Sequence, residues 1–221
     1  MNLAGWKGAR PVERAVLEGE TVRLEPLDRD RHARQLHSAA AGADEIWEHL
    51  AYGPFRDFAD FNRWLAERAA LSDPLTFAVV DRAGGDARGV AALMRIVPVD
   101  GAIEVGHIWF TPRMQRTRQA TEAIYLLARH VFDDLGYRRF EWKCDSLNVK
   151  SRRAAQRFGF VFEGIFRQHM VVKGRNRDTA WFSIIDSEWP SRRAAFEAWL
   201  DPGNFDAAGR QVQSLTALRA E

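Results

Sequence analysis

The pattern of apolar and polar positions predicts a mixture of short strands and amphipathic helices. A period of two over residues 21–27 indicates a strand. The apolar residues of 120–135 instead recur at helical spacing, and Gly136 follows them as a typical helix stop. The other predicted strands are 75–80, 89–97, 102–110, 139–144, 160–172 and 179–185. The other predicted helices are 28–41, 43–50, 58–71, 148–158 and 190–200.

The order of these elements predicts the fold class. Three consecutive strands are followed by strand–helix–strand crossovers, which is typical of an α+β protein and not of a doubly wound one. We therefore expect a single domain whose central sheet is mixed, mostly antiparallel and flanked by helices. Residues 1–18 and 202–221 lack periodicity, so we assign them to an N-terminal extension and a C-terminal tail around a domain at 19–201.

Composition narrows the class of protein. The 221 residues are 46% hydrophobic and 28% charged, a globular balance, and the net charge of +2 gives no general attraction to nucleic acid or to a membrane surface. The single cysteine, Cys144, excludes an intramolecular disulfide and a cysteine-based zinc cage. No apolar run approaches the length of a membrane span. We expect a cytoplasmic protein without a metal, either a monomer or a homodimer.

A basic loop before the most amphipathic helix is the first candidate for chemistry. The strand at 102–110 leads into Arg113, Arg116 and Arg118, and the helix follows at once. Free amides at a helix N-terminus carry partial positive charge, so amides and arginines together form an anion site suited to a pyrophosphate. An ordinary solvated loop would show the same charges, so the loop alone decides nothing.

A second motif supplies the context. Asn148-x-x-Ser151 opens a helix that closes at Gly159-Phe160. With the basic loop upstream, this layout resembles the GCN5-related N-acetyltransferase superfamily, and within it the ribosomal-protein N-terminal acetyltransferases. That superfamily has a Gln/Arg-x-x-Gly-x-Gly/Ala loop. Gln115 and Ala120 match it, but Arg118 replaces the central Gly, which matters if that position needs a positive φ.

The resemblance implies an acyltransferase that uses acetyl-CoA as a co-substrate. Direct attack in a ternary complex would move the acetyl group to a primary amine, which belongs to a protein N-terminus, an amino acid or another small amine. The backbone at the end of the strand would hold the pantetheine and the thioester carbonyl. The residues expected to contact acetyl-CoA are Phe110, Thr111, Gln115, Arg116, Thr117, Arg118, Gln119, Ala120, Thr121 and Asn148.

The resemblance also suggests catalytic residues. Glu104 lies 11 positions before Gln115, a spacing that resembles the catalytic glutamate of histone-acetylating members, and it is the candidate general base. His107 is the alternative, although its odd spacing from Glu104 predicts the opposite sheet face. Ser151 is the candidate acid for the leaving thiolate, because none of the three tyrosines is expected nearby. We interpret Cys144 as a small buried residue.

The acceptor side is less clear from the sequence. In the resembling enzymes the early helices and the final hairpin enclose the acceptor, which here points to Trp47, Phe55, Arg167 and His169. The basic hairpin would suit an acceptor that carries a carboxylate. Three other readings stay open: a non-catalytic acetyl-CoA-binding module, a transferase for another acyl-CoA, and a basic nucleic-acid binder that the small net charge opposes.

Overall fold

The computed structural model describes residues 3–219, which form one sheet flanked by helices. The strands are β1 Leu17–Glu18, β2 Val22–Pro26, β3 Leu75–Asp81, β4 Ala87–Val97, β5 Ala102–Phe110, β6 Arg139–Asp145, β7 Val161–Val172 and β8 Arg175–Ile185. The α-helices are α1 Arg29–Ala40, α2 Phe58–Ala70, α3 Arg118–Arg129, α4 Val149–Phe158, α5 Trp189–Leu200 and α6 Leu215–Leu218. Shorter helical turns cover Asp44–Trp47, His130–Asp134 and Pro202–Asn204.

The sheet confirms the predicted α+β class. Its strand order is β1-β2-β3-β4-β5-β6-β8-β7. Every neighbouring pair is antiparallel except β5 and β6, which are parallel because α3 crosses over between them. Gly159 ends α4 in the left-handed conformation, with φ 95°, as its position after the helix predicts. Among residues 3–219, no helix is both long enough and apolar enough to cross a membrane.

The two faces of the sheet carry separate cores. Ile103 and Val105 of β5 belong to the larger core, which also takes in the buried sides of α3 and α5. Trp109 belongs to a smaller core beneath α1 and α2, together with Trp47 and Phe61. Because side chains alternate along a strand, the central strands β3, β4 and β5 contribute to both cores. The two faces of the central sheet are therefore covered by different sets of side chains.

Two irregularities of β5 shape the centre of the sheet. Against β4, Val90 pairs with Trp109 but Ala92 pairs with Gly106, so a β-bulge lies between these pairs. Against β6, the parallel pairing ends at Val105 and Trp142, although both strands continue. Beyond that last pair the two strands separate. We call the space between residues 106–110 and residues 143–145 the gap.

The segment predicted to be a C-terminal tail is instead folded onto the domain. Leu215 of α6 is completely buried in the larger core, and α6 packs against α4 and α5. The guanidinium of Arg118 donates to the carbonyl of Leu200 and lies over the ring of Phe205. The segment was missed because so few of its residues enter the core that they leave no periodic pattern in the sequence.

Candidate active site

The loop between β5 and α3 lies at one end of the gap. Arg116 has φ 63°, which turns the chain sharply before the helix. Thr117 is the N-cap of α3, and its hydroxyl oxygen accepts from the amide of Ala120 at 3.2 Å. Arg118 is the first residue of the helix, so the position that holds glycine in the superfamily pattern does not require a positive φ here. The substitution that the sequence flagged is therefore compatible with the loop.

Main-chain donors dominate this loop. The amides of Arg116, Arg118 and Gln119 have no acceptor among residues 3–219. Two of them belong to the first turn of a helix, whose amides lack partners in the helix itself. The side chain of Arg116 is exposed and forms no ion pair within the described chain. Three free amides and one free guanidinium can together bind an anion such as a pyrophosphate.

Most side chains predicted to contact acetyl-CoA are instead bonded within the protein. Asn148 caps α4 by accepting from the amide of Ser151 at 2.9 Å. Ala120 and Thr121 are buried, at 6% and 1% exposure. The remaining side-chain bonds are Gln115 to the Phe110 carbonyl, Thr117 to the Met114 carbonyl, Gln119 to Asp81 and Arg157 to Thr121, besides the bond of Arg118 to Leu200. These side chains stabilise the shape of the loop, and most of its free hydrogen-bond donors are backbone amides.

Of the two backbone amides at the end of β5, one points toward the gap and the other is already hydrogen-bonded. The amide of Thr111 donates to the carbonyl of Arg88 at 3.0 Å, so it is not available to a ligand. Adjacent residues of an antiparallel ladder alternate in the direction of their hydrogen bonds. Phe110 pairs with Gly89 one step before Thr111, and its amide therefore points away from β4, toward the gap. Of the two strand-end residues predicted from sequence, Phe110 has the suitable geometry.

Ser151 lies on the α3/α4 face of the gap. Its hydroxyl oxygen accepts from the indole of Trp142 at 3.0 Å, and it also bonds the thiol of Cys144. Burial raises the pKa of Cys144 above its usual value, although the contact with Ser151 lowers it in part. Cys144 is 5% exposed and thus a small buried residue, as interpreted from sequence. Ser151 itself is only partly buried, so its hydroxyl can reach a group in the gap.

Glu104 lies on the opposite face, at the closed end of the gap. Its carboxylate contacts Lys143 Nζ at 3.0 Å and Arg95 Nε at 3.2 Å. Lys143 also contacts Glu141 at 2.6 Å and lies 3.7 Å from the centre of the Trp181 ring. Burial raises the pKa of Glu104, and the charges of Lys143 and Arg95 oppose that rise. A carboxylate whose proton affinity is raised in this way is suited to accept a proton.

His107 lies on the same face as Glu104, so the predicted orientation was wrong. The bulge adds one residue to β5, and the alternation of faces shifts at His107, which has φ 50°. Its ring stacks on Tyr52, whose hydroxyl lies 3.1 Å from Nδ1. Burial, aided by the charge of Arg68, lowers the pKa of His107 to about 4. The His107 ring is therefore neutral at neutral pH. Its partner Tyr52, which was not expected near the site from the sequence, borders the gap.

The predicted acceptor residues do not form one surface. Trp47 is 2% exposed and belongs to the smaller core, whereas Phe55 is half-buried beside it. On the hairpin, Arg167 is exposed and His169 bonds Thr179 at 2.9 Å. Lys173 at the hairpin turn donates to the carbonyl of Trp47 at 2.9 Å. This bond joins the hairpin to the segment that precedes α2.

Lys143, Asp145, His49 and Tyr52 were not identified from the sequence as site residues. For the two on β6 a signal existed, because they alternate with Trp142 and Cys144 and must face away from α4. For His49 and Tyr52 no periodic signal exists, because they lie in an irregular segment. Among residues 3–219, no group of three or more His, Cys, Asp and Glu side chains could hold a metal ion.

Comparison with known proteins identifies the family of the chain. Residues 21–161 match the family model described as "Acetyltransferase (GNAT) domain". The chain is similar to a GCN5-related N-acetyltransferase from Brucella melitensis, with 50% identity, a TM-score of 0.96 and coverage of 98% of this chain and 99% of the other. It is 27% identical to YdaF of Bacillus subtilis, named as a candidate ribosomal N-acetyltransferase, over 80% of this chain and 97% of that protein. It is 31% identical to the ribosomal-protein-serine acetyltransferase of Escherichia coli over 45% of this chain and 56% of that protein.

Proposed function

Because the chain belongs to the GNAT family of acetyltransferases, we propose that it transfers the acetyl group of acetyl-CoA to the α-amine of a protein N-terminus. The observation that best supports this proposal is the gap. A cradle of backbone amides borders it on one side, and a buried carboxylate borders it on the other. The names of YdaF and of the Escherichia coli relative support a ribosomal protein as the acceptor, which would place the reaction in the cytoplasm.

The residues at the gap fit acetyl-CoA. The free amides of Arg116, Arg118 and Gln119 would bind the pyrophosphate, and the exposed side chain of Arg116 would add a charge-assisted contact. The amide of Phe110 would bind along the pantetheine or at the thioester carbonyl. A main-chain cradle requires no particular side chain, so Arg can stand where the superfamily pattern has Gly.

The two faces of the gap separate the two ends of the reaction. An amine that attacks from the α1/α2 face would meet Glu104, which accepts a proton from the nitrogen as the C–N bond forms. The C–S bond then breaks on the α3/α4 face, where the hydroxyl of Ser151 can donate to the departing thiolate. In this scheme Lys143 and Arg95 hold the Glu104 carboxylate in place.

An acceptor panel tests the proposal. Release of free CoA thiol from acetyl-CoA is measured with peptides that begin with free or blocked α-amines, and with amino acids, polyamines and aminoglycosides. We expect turnover with free peptide N-termini and none with blocked ones. Turnover with the small amines alone would contradict the proposed acceptor. Tight binding without turnover would favour an acetyl-CoA-binding module, and faster reaction with succinyl-CoA would identify another acyl donor.

The role of Glu104 has its own test. Glu104→Gln keeps the shape of the side chain but removes the proton acceptor, so turnover should fall by about 10²–10⁴-fold while acetyl-CoA affinity is retained. Glu141→Gln is the matched control, since it removes the other carboxylate that contacts Lys143. Equal losses in both variants would mean that Glu104 only supports Lys143.

A further inference from the structure

Acetyl transfer to a protonated amine releases two protons from one nitrogen. An α-ammonium must first lose a proton to expose its lone pair, and the tetrahedral intermediate loses a second when the amide forms. One proton is returned to the thiolate and one leaves to solvent. Glu104 can take the proton of the intermediate, but at 5% exposure it is poorly connected to water. The reaction therefore has a use for a second acceptor nearer the solvent.

His49 and Asp145 form such a pair at the open end of the gap. His49 Nδ1 lies 3.4 Å from a carboxylate oxygen of Asp145, and their side chains are 28% and 18% exposed. The other carboxylate oxygen of Asp145 accepts from the amide of Leu147 at 2.9 Å, which fixes the group. Asp145 ends β6, three residues beyond the last pair with β5.

The pair and Glu104 share a face but not a position. Glu141, Lys143 and Asp145 alternate with residues of the larger core, so Asp145 faces the same side as Lys143 and its partner Glu104. Glu104 is level with Glu141, four residues before Asp145 on β6, which is about 13 Å along the strand. One group lies at the closed end of the gap, and the other lies at its mouth.

We propose that His49, oriented by Asp145, takes the first proton from the acceptor ammonium and passes it to solvent. The N–H bond of the ammonium breaks, the free imidazole nitrogen of His49 gains the proton, and the neutral amine moves on to the thioester. Asp145 is a positioning residue that holds the ring. The inference rests on the proposed transfer to an α-amine, because it assigns a role at the same site.

Other charged and titratable groups lie on the elements that neighbour the pair. They are Lys143 beside Asp145 on β6, Glu104 and His107 on β5, Tyr52 in the loop that carries His49, Lys173 at the hairpin turn and His169 on β7. Two of these groups have hydrogen-bond partners of their own: His169 bonds Thr179, and His107 bonds the hydroxyl of Tyr52. Among residues 3–219, the polar contact of the His49 side chain is with Asp145, so Asp145 is the partner to vary.

The test is the pH profile of kcat/KM for a peptide with a free α-amine. His49→Gln can keep the contact with Asp145 but cannot take up a proton, so kcat/KM should fall by about 10²-fold or more at pH 6.5. The deficit should narrow above pH 9, because an α-amine with a pKa near 7.7–8.0 is then already neutral. Asp145→Asn should show the same pH dependence with a smaller deficit. The deficit of Glu104→Gln should persist at high pH, because the second proton must still leave the intermediate.

His130→Gln is the matched control. His130 Nδ1 also contacts an aspartate, Asp134 at 2.8 Å, at the end of α3 away from the gap. It should leave the profile unchanged, while melting temperature and acetyl-CoA affinity confirm that each variant is folded. If the deficit of His49→Gln is absent or does not change with pH, the role of His49 is overturned, while the proposed function still stands. If the unaltered protein acetylates no α-amine, it is the proposed function that fails.

Discussion

Replacing His107 should make the protein less sensitive to acid. Burial lowers the pKa of His107 from 6.5 to about 4, so the folded chain binds fewer protons than the unfolded chain between these values. The free energy of unfolding must then decrease as the pH falls through that window. The difference of about 2.5 pKa units corresponds to about 3 kcal/mol between pH 7 and pH 4.

The substitution that isolates this effect is His107→Asn. Asparagine does not titrate, tolerates the left-handed backbone at φ 50°, and keeps a polar group near Tyr52. Urea unfolding at pH 7 and at pH 4 gives the stability lost on acidification by each protein. We expect the variant to lose about 3 kcal/mol less than the unaltered chain. Other titrating groups, such as Glu104, contribute equally to both and cancel.

Tyr52→Phe is the control for this measurement. It removes the hydroxyl 3.1 Å from the ring but leaves the burial and the charge of Arg68 that lower the pKa of His107. Its acid sensitivity should therefore match that of the unaltered protein. If His107→Asn and the unaltered chain lose the same stability between pH 7 and pH 4, the ring is not buried as the structure has it, and the reasoning is refuted.

Three further experiments test other parts of the structure. Calorimetric titration with CoA should show a loss of about 1.5–3 kcal/mol for Arg116→Ala and a smaller loss for Arg118→Ala, whose side chain already bonds Leu200; the reverse order would contradict the main-chain cradle. Ser151→Ala should lower kcat with little change in the KM for acetyl-CoA, and a change in KM alone would make Ser151 a binding residue. Leu215→Ala should cost about 2–5 kcal/mol in a denaturant melt, and an unchanged midpoint would show that the C-terminal segment is not docked.

Local sequence signals predicted most of the fold. The helix predicted from residue 28 is α1 with Asp28 as its N-cap, and the turn before Gly101, with φ 65°, joins the predicted strands β4 and β5. These features depend on a few consecutive residues, which is why periodicity and cap chemistry find them. The helix predicted at 120–135 has the same origin, although it begins at Arg118 and ends in a wider turn at His130–Asp134.

The parts that escaped prediction depend on contacts between distant segments. The bulge in β5 is defined by its register against β4, so the sequence of residues 102–110 alone does not predict it. The contact between His49 and Asp145 joins residues 96 positions apart, and that between Lys173 and Trp47 joins residues 126 apart. A residue type can suggest a role, but only the packed structure decides which partner it meets.

The bulge has a consequence for the chemistry at the gap. Without it, His107 would face the larger core, as its odd spacing from Glu104 predicts, and would lie on the same side as Ser151. The extra residue instead turns His107 and Trp109 toward the α1/α2 face, where Tyr52 contacts His107 and Trp47 contacts Trp109. The ionisable groups of β5 thus lie on the side from which an amine would arrive, and the α3/α4 side is left to the thiol. The β-bulge at this position therefore determines which face of the sheet carries the proton acceptors of β5.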